Sequence, residues 1–319
     1  MQLEKLKETV AKVLPDVEAV LCYKAGFDPL HAVPLFLRKA EDIENIAWSP
    51  LCAQNLASYL PQLKKKKTGV VVKGCDSRAV VQFMQENLIH RENVVVIGIP
   101  CEGVVDVARI QEATGQKAIK QVIFDGKGNV SVTTVDGEKS FPISEVSPRK
   151  CRTCQYPTPV IYDYLIGEPI SSNKPADSVY EDVAEIESLS LQERMEYWKK
   201  ELDRCIRCYA CRNACPMCVC QESCIVESRN PHWMSQKNTI DEKFMFHLIH
   251  ALHLAGRCIE CGECERACPM NIPVAKLKKK INKEMKQLFN YEPGVKAEEK
   301  PPMYTFDVEE VTIKEHKLT

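Results

Sequence analysis

Apolar residues in the first half of the chain predict a strand–helix–strand unit. Residues 68–73 and 93–98 are short runs rich in valine and isoleucine, which is typical of buried strands. Between them, residues 77–89 carry apolar side chains at helical spacing. We expect the two strands to lie parallel in one sheet. Residues 121–124 and 130–134, on either side of a glycine-containing turn, predict a β-hairpin.

The second half of the chain has helical periodicity instead. A helix is predicted from Leu191 onward, a second one over residues 241–255 and a third over residues 274–289. Residues 166–190 contain glycine, serine and proline and break any apolar period, so they predict a linker. Residues from 291 onward contain three prolines and have no strong period, which favours an extended tail.

Composition and charge narrow the class of protein. The chain has 319 residues, 17 cysteines and a net charge of −1, which gives no reason to expect a nucleic-acid partner. No run of about 18 apolar residues occurs, so we predict no transmembrane segment. The first residues are charged and amphipathic, unlike a secretory signal. We therefore expect a cytoplasmic protein whose thiols stay reduced and available to metals.

Two cysteine runs share the spacing C-x2-C-x2-C-x3-C-P, which is typical of proteins that hold two [4Fe–4S] clusters. Three thiols in one tight turn reach one cluster, and the fourth cysteine ligates the other cluster. The first set of predicted ligands is Cys205, Cys208, Cys211 and Cys268. The second set is Cys258, Cys261, Cys264 and Cys215. Neither a zinc site nor a set of disulfides would require the same four-cysteine spacing to occur twice.

A third cluster is predicted in the α/β region. Cys75 and Cys101 each follow a predicted strand, and the carboxyl ends of parallel strands meet at one edge of a sheet. Cys151 and Cys154 form a further pair on a loop. These four cysteines are the third set, which we expect to bind a [4Fe–4S] cluster. The alternatives are zinc on the same residues, or ordinary buried thiols at Cys75 and Cys101.

Other polar and cysteine positions are expected to be structural. Cys218, Cys220 and Cys224 follow the first motif and are expected to pack around its cluster. The run of lysines at 278–280 is interpreted as solvated helix surface. No glycine-rich nucleotide motif is found, and no catalytic constellation can be singled out.

These patterns together predict the fold class and the domains. We expect an α/β domain with parallel strands and a [4Fe–4S] site at residues 1–165, followed by a linker at 166–190. An α-helical ferredoxin-type domain with two clusters follows at 191–290, and an extended tail at 291–319.

The chain resembles a known family at the residues that carry these predictions. Lys73-Gly74-Cys75-Asp76, Gly98-Ile99-Pro100-Cys101 and the Cys151/Cys154 pair look like the beta subunits of deazaflavin-coenzyme-reducing hydrogenases and formate dehydrogenases. The remainder is similar to the helical two-cluster ferredoxin modules of heterodisulfide-reductase-type subunits. In that family the α/β domain carries a cluster, usually beside FAD, and exchanges electrons with a deazaflavin or another carrier.

We therefore predict an iron–sulfur electron-transfer subunit of a soluble anaerobic oxidoreductase complex. Electrons would pass between the α/β-domain cluster and the two ferredoxin-type clusters, and on to catalytic partner subunits. A soluble ferredoxin or a deazaflavin carrier is a further expected partner. The alternative is an FAD-containing oxidoreductase that splits hydride pairs into single electrons. A scaffold with purely structural clusters is a third interpretation.

Overall fold

The computed structural model describes residues 2–220, 223–227 and 232–306. The strands are β1 (Ala19–Ala25), β2 (Ala32–Leu37), β3 (Thr68–Val72), β4 (Val94–Gly98), β5 (Ile119–Phe124), β6 (Asn129–Thr134), β7 (Gly137–Pro142) and β8 (Tyr164–Leu165). The α-helices are α1 (Gln2–Val13), α2 (Gly74–Gln85), α3 (Val107–Ala113), α4 (Ile143–Val146), α5 (Arg149–Arg152), α6 (Glu181–Glu187), α7 (Leu191–Asp203), α8 (Ala210–Asn213), α9 (Ile240–Leu252), α10 (Glu263–Arg266) and α11 (Val274–Phe289).

A five-stranded sheet with the order β2-β1-β3-β4-β8 organises the α/β region. The predicted parallel pairing of β3 and β4 is confirmed, with Thr68 opposite Val94 and Val72 opposite Gly98. Only the edge strand β2 pairs in the antiparallel sense among these described strands. The carboxyl ends of β3 and β4 therefore lie side by side.

Helices cover both faces of this sheet, which explains the continuous apolar runs of β3 and β4. Val70 and Val72 pack with Phe83 of α2 in one core cluster. Val71 points to the opposite face and packs with Leu6 and other residues of α1. Alternate side chains of one strand therefore anchor α1 and α2, and α2 is held with its first turn at the end of β3.

A second, antiparallel sheet has the order β5-β6-β7. The hairpin of β5 and β6 is confirmed, with Phe124 opposite Val130. Strand β7 was not predicted, because its side chains are mostly polar and exposed. The apolar face of β6, Val130 and Val132, packs over Ile110 of α3.

The helices α7, α9 and α11 confirm the helical character of the second half, although α9 ends at Leu252, before the predicted end. The segment predicted as a linker contains α6, whose Val183 is buried. Residues 291–306 pack on α2, where Arg78 donates to the carbonyl of Pro293 at 2.8 Å. The rest of the predicted tail, residues 307–319, lies outside the described residues, and the predicted domain boundaries stay predictions.

The helical region packs directly on the α/β region. Met217, Leu254 and Ile259 belong to the same core cluster as the residues of β3 and α2. Arg257 donates to both carboxylate oxygens of Glu86 at the end of α2, at 2.8 and 2.6 Å. The cysteine motifs are therefore brought against the sheet. Among the described residues, no helix combines the length and apolar composition that crossing a membrane requires.

Candidate iron–sulfur centres

The two cysteine motifs have the same backbone shape. Arg207 and Tyr209 in the first motif have φ values of 48° and 61°. Glu260 and Gly262, at the equivalent positions of the second motif, have φ values of 57° and 68°. These left-handed residues flank the second cysteine of each run and bend the chain twice within one turn. The bends allow three thiols to face the same side.

The first set of thiols surrounds one small cavity. The cavity of about 20 Å³ is lined by Cys205, Cys208, Cys211 and Cys268, the set predicted from the spacing. The backbone N–H of Arg207 donates to the Cys205 sulfur at 3.3 Å, and that of Ile272 to the Cys268 sulfur at 3.5 Å. Such N–H···S bonds stabilise negative charge on sulfur and are one means by which proteins set cluster potentials.

The second set lies beside the first. Cys215, Cys258, Cys261 and Cys264 line a larger cavity of about 760 Å³. Cys211 of the first set and Cys264 of the second are near enough to interact electrostatically. The fourth cysteine of each motif therefore lies with the three cysteines of the other motif, and the ligand sets stay a prediction.

The third set lines the same cavity as the second. Cys75 follows Gly74 at the start of α2, Cys101 follows β4, and Cys151 and Cys154 lie in and after α5. The loop after α5 is tied to the strand ends, because the N–H of Cys101 donates to the carbonyl of Pro157 at 2.9 Å. A side chain at Gly74 would meet the carbonyl of Tyr156 at 1.7 Å, so this close approach requires glycine.

Burial keeps several of these thiols neutral when no metal is bound. It raises the pKa of Cys101, Cys211 and Cys258 to about 12. It also raises the pKa of Cys75 and Cys261 well above the usual range. Thiolate is the form that ligates metals, so binding of iron must displace these protons.

The thiols of each set line a cavity and do not converge on the position of one metal ion. Within the described part of the chain, no group of three or more histidine, cysteine or acidic side chains is arranged to hold one metal ion. The ligands of a four-iron cubane bind four different irons, so they need not converge on one position. Each set of four cysteines is a donor set that fits such a cluster.

Three buried lysines lie among these thiols, and no pattern in the sequence predicted their place there. Lys73 is ion-paired with Asp76 at 2.7 Å beside Cys75. Lys150 lies between the second and third sets, with its Nζ 3.7 Å from Glu263 and without a hydrogen bond to any described residue. Lys278 is 3% exposed, so the interpretation of residues 278–280 as solvated surface was wrong at this position. The available signal was its place four residues after Val274 on the buried face of α11.

The remaining cysteines take different positions. Cys218 approaches the Nε2 of His250 at 3.3 Å and hydrogen-bonds with Cys215, which helps to raise the pKa of Cys215. Cys224 is buried beside Arg212, and Cys220 is exposed. Cys218 and Cys224 therefore pack around the thiol sets, as predicted, and Cys220 faces solvent.

Comparisons with known proteins agree with these features. Residues 65–218 match the family described as the C terminus of the coenzyme F420 hydrogenase/dehydrogenase beta subunit, and residues 204–273 match the 4Fe-4S dicluster domain. The chain is 26% identical to the F420-dependent formate dehydrogenase subunit beta of Methanocaldococcus jannaschii, over 91% of this chain and 90% of that protein.

Two further similarities were found. The F420-dependent formate dehydrogenase 1 subunit beta of Methanococcus maripaludis is 26% identical over 90% of this chain and 89% of its own length. A chain of the F420-reducing [NiFe] hydrogenase complex from Methanosarcina barkeri aligns with a TM-score of 0.38 and 15% identity, covering 64% of this chain and 89% of that chain.

The dicluster match covers both cysteine motifs, and the beta-subunit match covers β3, β4 and the third set of thiols. Iron–sulfur clusters are therefore the cofactors of this protein, and electron transfer is their function. The chain is an iron–sulfur electron-transfer protein in which residues 65–218 are similar to the beta-subunit family of coenzyme F420 hydrogenases and dehydrogenases, and residues 204–273 to the 4Fe-4S dicluster domain.

Proposed function

We propose that this protein passes single electrons along three [4Fe–4S] clusters within an F420-linked oxidoreductase complex. Cluster 1 is held by the first set of thiols, cluster 2 by the second set and cluster 3 by the third set. The observation that carries the proposal is the arrangement of the sets. The second and third sets share one cavity, and Cys264 of the second set is near enough to Cys211 of the first to interact with it electrostatically. Cluster 2 is thus the middle member of a row.

The relatives supply the proposed partners. Two of them are beta subunits of F420-dependent formate dehydrogenases and are similar over most of this chain. We accordingly propose that the chain exchanges electrons with a deazaflavin carrier at one end of the row and with catalytic subunits or a soluble ferredoxin at the other. The exposed thiol Cys208 in the first set supports cluster 1 as the end nearer solvent. A cytoplasmic location stays a prediction.

A second candidate function is hydride oxidation by a bound flavin. The observation that favours it is the size of the shared cavity, because about 760 Å³ lies within the range of small-molecule sites, about 300–1,000 Å³. Lys150, whose Nζ is buried without a hydrogen bond, and Arg78, at 4.7 Å over the Tyr156 ring, line this cavity. These cations fit an anionic cofactor such as FAD. The flavin would supply the change from hydride to single-electron chemistry.

The test is the iron and flavin content of anaerobically purified protein. Three cubanes predict about twelve irons per chain, and two predict about eight. In a Cys151→Ser variant we expect about four fewer irons than in wild type, with the spectra of clusters 1 and 2 retained. Cys220→Ser, at an exposed cysteine, is the control and should keep the wild-type content.

The outcomes separate the candidates. Wild-type protein with about eight irons, unchanged by Cys151→Ser, would remove cluster 3 from the proposal. About one FAD per chain, released by acid, would establish the flavin function, and intact clusters without flavin would contradict it. Wild-type protein without iron would contradict the proposed function as a whole.

A further inference from the structure

Beside the second set of thiols lies a buried lysine that pairs with no carboxylate of the residues that the structure describes. Lys278 lies on the buried face of α11 and is 3% exposed. Among the described residues it forms no ion pair with an aspartate or glutamate. Its neighbours on α11, Lys279 and Lys280, do form such pairs, with Asp182 and Glu187. A buried ammonium without a counter-charge is costly, so this position requires an anion.

The groups that surround the Lys278 ammonium are thiols and one histidine. Its charge acts most strongly on Cys264, Cys215 and Cys258, three of the four cysteines in the second set. Cys264 also hydrogen-bonds with it. The Nζ lies 3.4 Å from the Nε2 of His250. An imidazole ring is either neutral or positively charged, so His250 supplies no counter-charge to the ammonium.

The first set provides a contrast. Lys278 acts on one thiol of that set, Cys211, and a second buried lysine, Lys243, acts on Cys205. The Lys243 Nζ hydrogen-bonds the carbonyl oxygen of Asp203 and lies 3.3 Å from its carboxylate. Lys243 therefore has its own acidic partner, whereas Lys278 has thiols and the His250 ring beside it and no carboxylate partner among the described residues. The two sets thus differ in fixed charge although their backbones are alike.

We propose that the Lys278 ammonium is the fixed counter-charge of cluster 2 and raises its reduction potential. The inference rests on the proposed binding of cluster 2 by the second set of thiols. A cluster gains one negative charge on reduction. A fixed cation in a poorly solvated site stabilises that extra charge more than it stabilises the oxidised state. Lys278 acts through the cluster's field and touches no substrate, so it is a tuning residue of the electron path.

The experiment is a redox titration of the anaerobic, full-length holoprotein, followed by electron paramagnetic resonance. In Lys278→Met the ratio of oxidised to reduced cluster 2 at a fixed potential should rise about tenfold, which corresponds to a potential about 59 mV lower. Lys278→Arg keeps the charge and should titrate close to wild type. Lys283→Met, on the same helix but paired with Glu187, is the matched control and should leave cluster 2 unchanged.

Each outcome decides the matter. A Lys278→Met protein that holds both dicluster-domain clusters at wild-type potentials overturns the inference and leaves the proposed function intact. If the methionine variant loses cluster 2 and the arginine variant keeps it, a required charge is supported. Loss of cluster 2 in both variants means that Lys278 acts through packing, which overturns the inference. Wild-type protein without cluster 2 contradicts the proposed function itself.

Discussion

At the scale of single residues, the charges of the buried lysines are neutralised by different partners at different positions. Lys73 is fully buried beneath the sheet edge, and its Nζ lies 2.7 Å from Asp76, 2.6 Å from the Tyr23 hydroxyl and 3.0 Å from the carbonyl of Gln54. Asp76 in turn accepts the backbone N–H of Lys73 at 3.1 Å. This closed network fixes the first turn of α2, where Cys75 begins the third set.

Replacing Asp76 by asparagine should destabilise the α/β region strongly. The variant leaves the Lys73 ammonium buried without a counter-charge, which typically costs about 3–5 kcal/mol. Chemical denaturation followed by circular dichroism measures the change. The control is Asp136→Asn, because Asp136 pairs with Lys117 at an exposed site, where such a pair contributes about 0–1 kcal/mol. Equal losses in the two variants would show that the Lys73 network does not stabilise the fold.

Residue types alone predicted the thiol sets but not the lysines. The cysteines were identified because a four-iron cluster imposes a fixed spacing on its ligands, and that spacing is visible in the sequence. Lys278 lies in a run of three lysines, and its two neighbours are partly exposed and ion-paired. Its burial follows from which face of α11 meets the second set, and that contact comes from tertiary packing.

At the scale of elements, α6 shows how a segment without a strong pattern becomes ordered. It packs against α11, where Asp182 and Glu187 pair with Lys279 and Lys280. Val183 is its only fully buried residue among those described, at 3% exposed. Because surface ion pairs contribute little, the apolar contact should dominate the docking of this helix.

We therefore expect Val183→Ala to loosen α6 more than Glu187→Gln does. Removing the buried valine side chain should cost up to about 1.5–3 kcal/mol, and removing the carboxylate charge about 0–1 kcal/mol. Hydrogen exchange of the α6 amides reports the local opening directly. Faster exchange in the glutamine variant than in the alanine variant would show that the ion pairs of Glu187, and not the burial of Val183, hold α6 on α11.

Elements with a strong apolar pattern were predicted, and those that depend on neighbours were not. Burial on both faces gives β3 and β4 continuous apolar runs, and burial of one face gives α11 apolar residues at helical spacing. These patterns are visible in the sequence, so the three elements were predicted. Strand β2 contains Pro34, which argues against a strand, yet it lies at the sheet edge, where proline is tolerated. The polar β7 and the short α6 acquire their structure from the elements they contact.

At the scale of the whole molecule, one buried ion pair joins the two regions. Glu86 at the end of α2 has a side chain only 3% exposed, and Arg257, just before the second motif, pairs with both its oxygens. The sequence did not predict this contact, because 171 positions separate the two residues and neither lies in a motif. It helps to place the second set of thiols over the ends of β3 and β4.

Glu86→Gln should weaken the contact between the regions. Breaking a buried pair from one side typically costs about 3–5 kcal/mol, and this pair should cost less, since the Arg257 side chain is 21% exposed and water can solvate its charge. Limited proteolysis and the rate of iron loss on warming should both increase. Glu284→Gln, which removes an exposed partner of Lys280, is the control and should behave like wild type. Unchanged iron retention in the Glu86 variant would show that this ion pair does not hold the two regions together.

The exchange of fourth cysteines has a consequence for how the two dicluster-domain centres fail. Cys215 belongs to the first motif and lies with the second set, while Cys268 belongs to the second motif and lies with the first. Neither half of this domain contains a complete set of four thiols. Damage to one centre releases a segment that also carries three ligands of its neighbour. The centres should therefore be gained and lost as a pair, so repair of an oxidised protein would rebuild both together.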